Sequence, residues 1–201
     1  MNVIQTNEAE SYLFAIANRQ AGYFTAMQAR EAGYSYPNQS YHRKQGHWLD
    51  EGWGIYRLKN YPEAEHEQFV KLSLWSRNKV GEHQAVVSHE TALSFYDLSD
   101  VMPTKIHLSV PKSFRKDVPK NVVLHKAELV ETDINYQTGF AVTTPLKTLL
   151  DVAASNLSPE HLEQATVEAL EQGWVRKSNL KTAISKAPSD IQERFRFLDG
   201  L

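Results

Sequence analysis

Between Gly22 and Leu58 the chain reads as two short helices joined by a glycine turn and followed by a tiny hairpin. The first helix opens at Thr25. In Thr25-Ala26-Met27-Gln28 the Thr hydroxyl takes one orphan N–H and Gln28 reaches back for another, while Phe24 and Ala29 stand where a hydrophobic staple would close. Gly33 ends this helix. After Gly33-Tyr34-Ser35, Ser35 can cap a second helix, about Tyr36 to Gln45, that carries Pro37 in its first turn, where a missing N–H costs nothing. Gly46 supplies a left-handed stop. His47-Trp48-Leu49, a turn at Asp50-Glu51-Gly52 and the run Gly54-Ile55-Tyr56-Arg57-Leu58 make the hairpin. Upstream, Ala9, Tyr12, Leu13 and Ile16 recur at helical spacing, so a helix from about Glu8 to Arg19 is expected to lay that stripe on the two helices after it. Three helices followed by a hairpin are the outline of a winged helix-turn-helix.

Asn60-Tyr61-Pro62 marks the expected boundary, giving a winged-helix domain over 1–60 and a mixed α+β domain over 61–201. Glu63 to Trp75 looks like a helix leading into that second domain. Ser88 can cap another, reaching about Tyr96. Ile106, Leu108 and Val110 alternate with Lys105, His107 and Ser109, the period of a strand with one buried face, and Val122-Val123-Leu124 and Phe140-Ala141-Val142 are further strand candidates. Thr144-Pro145 starts a helix whose Leu146, Leu149, Leu150 and Ala153 share a face, and Ser158-Pro159 starts one that ends near Gly173. Two short helices, Ser178 to Lys186 and Ser189 to Leu198, complete the α+β fold class.

Five blocks carry a resemblance. They are Gly22-Tyr23-Phe24-Thr25, Ala29-Arg30-Glu31-Ala32-Gly33-Tyr34-Ser35, Gly54-Ile55-Tyr56-Arg57-Leu58, Val87-Ser88-His89-Glu90-Thr91-Ala92-Leu93 and Thr143-Thr144-Pro145-Leu146-Lys147-Thr148-Leu149-Leu150-Asp151. In this order they resemble the AbiEi family, the antitoxin and transcriptional-repressor half of type IV toxin–antitoxin systems. The resemblance implies a winged-helix domain that binds the operator DNA of its own operon and represses it. It also implies an antitoxin activity located after Leu58 and a separately encoded nucleotidyltransferase-like toxin as functional partner, while no motif in the sequence calls for a cofactor and the lack of cysteine and of a signal-peptide pattern leads us to expect a cytoplasmic setting. A homodimer on the operator is compatible with it.

The expected recognition helix offers Tyr36, Asn38, Gln39, Tyr41, Arg43 and Lys44, polar and cationic tips of the kind that read base edges and phosphates in a major groove. Thr25, Gln28, Trp53 and Arg57 complete the candidate DNA-binding set. Gln39 stands where the family carries an apolar core residue, which leaves the rotational register of the helix open. Asp50 and Glu51 place two acids at the hairpin tip, where basic residues would better approach phosphate. Over residues 1–58 five basic residues balance five acidic ones, and the whole chain carries a formal net charge of −2, so any binding must come from distribution rather than total charge. A clearer patch comprises Lys105, Lys112, Arg115, Lys116, Lys120 and Lys126, interrupted only by Asp117, and offers a second contact to nucleic acid or to an acidic partner.

Catalytic patterns are missing. Ser88-His89 suggests a hydrolytic pair, but the G-x-S-x-G elbow is absent, and Ser88 is better read as a cap. The eight His residues show no H-x-x-x-H spacing, so no metal is expected. No acid has a Lys two residues on, which removes the (D/E)-x-K signature of nuclease relatives of this front half, and there is no Walker loop. The chain contains no cysteine, in keeping with a reducing compartment, and no apolar run approaches the ~20 residues of a spanning helix. Two other readings remain: a winged-helix module that binds only protein, favoured by the acidic tip, and a regulatory remnant of a nuclease family.

Overall fold

The computed structural model describes residues 3–200, with side chains from Asn7 onward. The chain forms an α+β structure of two compact units, one comprising 1–84 with 136–140 and the other 85–135 with 141–201. The division thus falls after Gln84, beyond the boundary expected at Asn60-Tyr61-Pro62.

The first unit holds α1 (Val3–Asn18), β1 (Tyr23–Thr25), α2 (Ala26–Glu31), α3 (Tyr36–Lys44), β2 (Trp48–Asp50), β3 (Ile55–Leu58) and α4 (Glu67–Trp75). The capping box at Thr25 forms as read: Gln28 N–H donates to Thr25 Oγ1 at 3.2 Å, and Thr25 N–H donates to Gln28 Oε1 at 2.9 Å. Ser35 sits at the N-cap of α3, but its side chain makes no capping bond. β3 is the central strand of an antiparallel sheet in the order β1-β3-β2, with Phe24 opposite Tyr56 and Leu49 opposite Arg57. Leu13 and Ala17 of α1 bury against Phe24, Ala29, Trp48 and Tyr56, and Phe24 meets Trp48 edge-on at 4.9 Å. The apolar stripe of α1 is therefore Ala9, Leu13, Ile16 and Ala17, and Tyr12, read as part of it, faces solvent.

Rather than leading away, α4 packs on the small sheet. Tyr23 donates to Glu67 at 2.7 Å, and burial together with that bond pushes the Tyr23 phenol up. The returning segment Tyr136–Phe140 belongs here too: Phe140 and Phe69 of α4 lie 5.4 Å apart. Gly139 has φ +85°, and a Cβ there would come within 3.0 Å of the Gln20 backbone and of Val70, so the segment lies flat because this position has no side chain.

The second unit holds β4 (Val86–Val87), α5 (His89–Phe95), β5 (Ile106–Val110), β6 (Val122–Lys126), β7 (Ile134–Tyr136), whose end passes into the returning segment, β8 (Ala141–Thr143), α6 (Pro145–Ala153), α7 (Pro159–Glu171), α8 (Lys177–Ser185) and α9 (Ser189–Arg194). Its mixed sheet runs β6-β5-β4-β8-β7, with β5–β6 and β4–β8 parallel and β4–β5 antiparallel. Leu93, Leu108, Val142, Leu149, Leu162 and Leu180 are fully buried. The alternation expected of β5 breaks at its end, where Leu108, Ser109 and Val110 are all buried. Ser109 is covered because its hydroxyl donates to Ser88 just before α5. In α6 the buried set is Pro145, Thr148, Leu149, Val152 and Ala153, so Leu149 and Ala153 of the expected face are covered while Leu146 and Leu150 are half-buried. Thr148 tolerates burial by sharing a 2.7 Å hydrogen bond with Thr143.

Candidate nucleic-acid interface

Three buried amides, those of Gln20, Gln28 and Gln39, tie α2 to the segment before it and to the turn after it. Gln28 Nε2 donates to Gln20 Oε1 at 2.9 Å, and Gln20 in turn donates to the Tyr23 carbonyl at 2.9 Å. Gln39 is 6% exposed, and its Nε2 donates to the carbonyls of Tyr34 at 3.0 Å and Ala26 at 3.2 Å. Gln28 and Gln39 were candidate DNA contacts, and both face the interior instead: Gln28 is held by the Gln20 amide and the Thr25 N–H, and Gln39 supplies backbone carbonyls with donors that an apolar residue could not. With Gln39 inward, the register of α3 is fixed. Tyr36 (78% exposed), Tyr41 and Lys44 face solvent, and Asn38 is half-buried.

The remaining candidates cluster about the hairpin. Arg43 Nη1 donates to Asp50 at 3.5 Å while its guanidinium lies over the Tyr56 ring at 5.6 Å. Asp50 also accepts the Gly52 N–H at 3.0 Å. Glu51 stands 3.7 Å from Arg57 Nε and accepts from Lys71 Nζ at 3.2 Å, and Arg57 donates to the Tyr61 carbonyl. The acidic tip that argued against phosphate is thus neutralised within the unit. Lys71 had no place in the sequence reading, since nothing periodic links it to Glu51. Trp53 stands at the tip with φ +52° and 58% exposure, its ring 6.1 Å from that of Trp75. A left-handed Trp is strained by roughly 1 kcal/mol or more. Thr25 is half-buried and occupied by its cap.

In the second unit Lys105, Lys112, Arg115, Lys116, Lys120 and Lys126 are all exposed. Their loop is anchored by buried Phe114, whose carbonyl accepts from Lys126 at 2.6 Å and from Arg115 at 2.9 Å, and whose ring lies 5.2 Å below the Lys126 ammonium. Behind it, Glu90 lies 2.8 Å from His107 Nδ1, which is 3.1 Å from His125 Nε2, and His125 stacks on His89 at 3.5 Å. Burial pushes His89 down to about 3, with His125 adding to the effect. Burial raises the Glu90 carboxyl, but the His107 hydrogen bond, a backbone hydrogen bond and the fields of His107 and His89 together outweigh it and hold the group down at about 2. Ser88 is fully buried and bonds His89 Nδ1 and Ser109 rather than capping α5, so a nucleophile there has no access to substrate. Among the described residues no group of His, Asp or Glu is placed to hold a metal ion, and no helix is long and apolar enough to cross a membrane.

A family model described as the AbiEi antitoxin C-terminal domain matches residues 84–200, a span that takes in nearly all of the second unit together with the segment 136–140. The chain belongs to the AbiEi antitoxin family. The match takes in the blocks Val87–Leu93 and Thr143–Asp151, and it gives this AbiEi chain an antitoxin's place in a toxin–antitoxin pair. None of the curated proteins searched matches it. Among solved structures it is similar to the RV2827C protein from Mycobacterium tuberculosis, at 16% identity and a TM-score of 0.55, covering 96% of this AbiEi chain and 76% of that one. At that identity the likeness speaks for the fold.

Proposed function

We propose that the first unit of this antitoxin is a winged helix-turn-helix that binds the operator of its own operon and represses it, with α3 as recognition helix and the β2–β3 hairpin as wing. The observation that carries the reading is the outward face of α3, Tyr36, Tyr41 and Lys44, beside a wing whose two carboxylates are matched by Arg43, Arg57 and Lys71. An aromatic and cationic face of this kind suits base edges and phosphates. The DNA-binding module extends through α4, because Lys71 neutralises the wing and Glu67 holds Tyr23. In the second unit the basic loop from Lys112 to Lys120 is the functional surface for antitoxin activity against a nucleotidyltransferase-like toxin.

The test is a gel shift of the full chain with the DNA upstream of its operon, repeated across salt concentrations. Binding that weakens with salt supports the reading, and the absence of any shift at low salt defeats it.

A further inference from the structure

Within the first unit a cavity of about 540 Å³ opens between α1, the end of α3 and the strands β2 and β3. That volume lies in the range of small-molecule sites. Six rings are among its lining residues, Phe14 from α1, Tyr34, His42 from α3, His47, Trp48 from β2 and Tyr61, of which Tyr34 and Trp48 are buried in the core and Phe14 is open. Trp48 and His42 stack at 4.8 Å with 14° between their planes, and Tyr34 meets Trp48 edge-on at 5.0 Å. Phe14 is 52% exposed, and its ring centroid lies 6.5 Å from that of Tyr61.

Two further observations show that the site is built. Tyr61 donates to Asn18 at 2.9 Å and lies so close over Gly22 that a Cβ there would sit 2.4 Å from its ring. Gly22, at φ +86°, is therefore what lets this wall stand where it does. Glu10 is the one carboxylate in the lining, and its field reaches both Tyr34 and His42. Burial and the neighbouring His47 pull His42 below the usual imidazole range. Lys59, the single ammonium in the lining, is exposed, as is Glu10, and of the two only Glu10 acts on Tyr34 and His42 of the aromatic wall.

We propose that this cavity binds a planar aromatic amine, a flat ring carrying one positive charge, with the ring against the aromatic walls and the charge toward Glu10. Aromatic faces attract cations as well as rings, and a carboxylate at an aromatic site selects the cation over its neutral and anionic analogues. An occupant touches α3 through His42, so it bears on whatever α3 contacts.

Calorimetric titration of the full chain with tryptamine, indole and indole-3-acetate tests this without DNA, so the result is separable from the repressor reading. Tryptamine should bind best and indole-3-acetate worst. Glu10→Gln should weaken tryptamine by about fivefold or more and leave indole unchanged. Phe14→Ala should weaken tryptamine and indole alike. Both positions are exposed, and circular dichroism is the check that the variants fold. Failure of all three compounds to bind at about 5 mM, equal binding of the three, or indifference to both substitutions would overturn the proposal. So would sedimentation showing a dimer that Phe14→Ala dissociates, because the cavity would then belong to a second copy.

Discussion

Around the β2–β3 hairpin both carboxylates have cations beside them, whereas from Lys105 to Lys126, across β5, β6 and the loop that joins them, six cations face a single Asp117. The first region contains its charge. What it turns outward is shape and hydrogen-bonding capacity: Tyr36, Tyr41, Lys44 and a strained Trp53. The second turns outward a field, carried on a loop that Phe114 pins down. A formal net charge of −2 therefore says little about either, because the acids near the hairpin are internal counter-ions and the excess cations lie elsewhere.

The largest expected effect separates polar groups that hold the first unit together from those that only stand on the second. Gln39→Ala leaves the carbonyls of Tyr34 and Ala26 without their donor and should cost about 2 kcal/mol in urea denaturation, while Lys120→Ala should stay within about 0.5 kcal/mol. Equal losses would break the comparison.

Acid should then act on the second unit. His89 titrates near 6.5 when unfolded and at about 3 when folded, so the unfolded chain binds the proton first and stability falls as pH drops from 6.5 toward 3. Glu90, held at about 2 against 4.5, adds stability that is present above 4.5 and lost as pH falls toward 2. Denaturation followed from neutral pH downward should show this decline, and His89→Gln should flatten its upper part.

A smaller effect concerns DNA. Lys44→Ala should weaken binding to all sequences alike and reduce the salt slope by about one unit. Arg43→Ala should weaken binding more, since it also leaves Asp50 uncompensated at the tip. A Lys44 variant with an unchanged slope in gel shifts removes that residue from the phosphate set.

The smallest effect on folding sharpens the contrast from the other side. Reversing Arg115 and Lys116 to Glu should shift stability by only about 0.5 kcal/mol, yet it should lower survival of cells expressing the cognate toxin. Survival at the level of the unchanged antitoxin would leave the basic loop without a role.

Local chemistry made part of this legible. The capping box at Thr25, Gly33, Pro37 and Gly46 placed α2, α3 and the hairpin, because those signals act within a few residues. The strand β1 escaped, since Tyr23-Phe24-Thr25 reads as the approach to a cap, and β4, at two residues, is too short to show a period. At the interface the sequence named the polar positions of α3 but not their directions. Gln39 turns inward to meet carbonyls that pattern cannot see, and Glu51 finds Lys71 from another helix. The family blocks stood out for a different reason: they are combinations of residues rather than periodicities.

The return of Tyr136–Phe140 to the first unit bears on how the chain is made. As synthesis proceeds from the N-terminus, the helices, the small sheet and α4 emerge first, but the segment carrying Gly139 and Phe140 does not leave the ribosome until much of the second unit has been translated. The first unit must wait, incomplete, for a strap that arrives late. No single cut in the polypeptide yields both units whole.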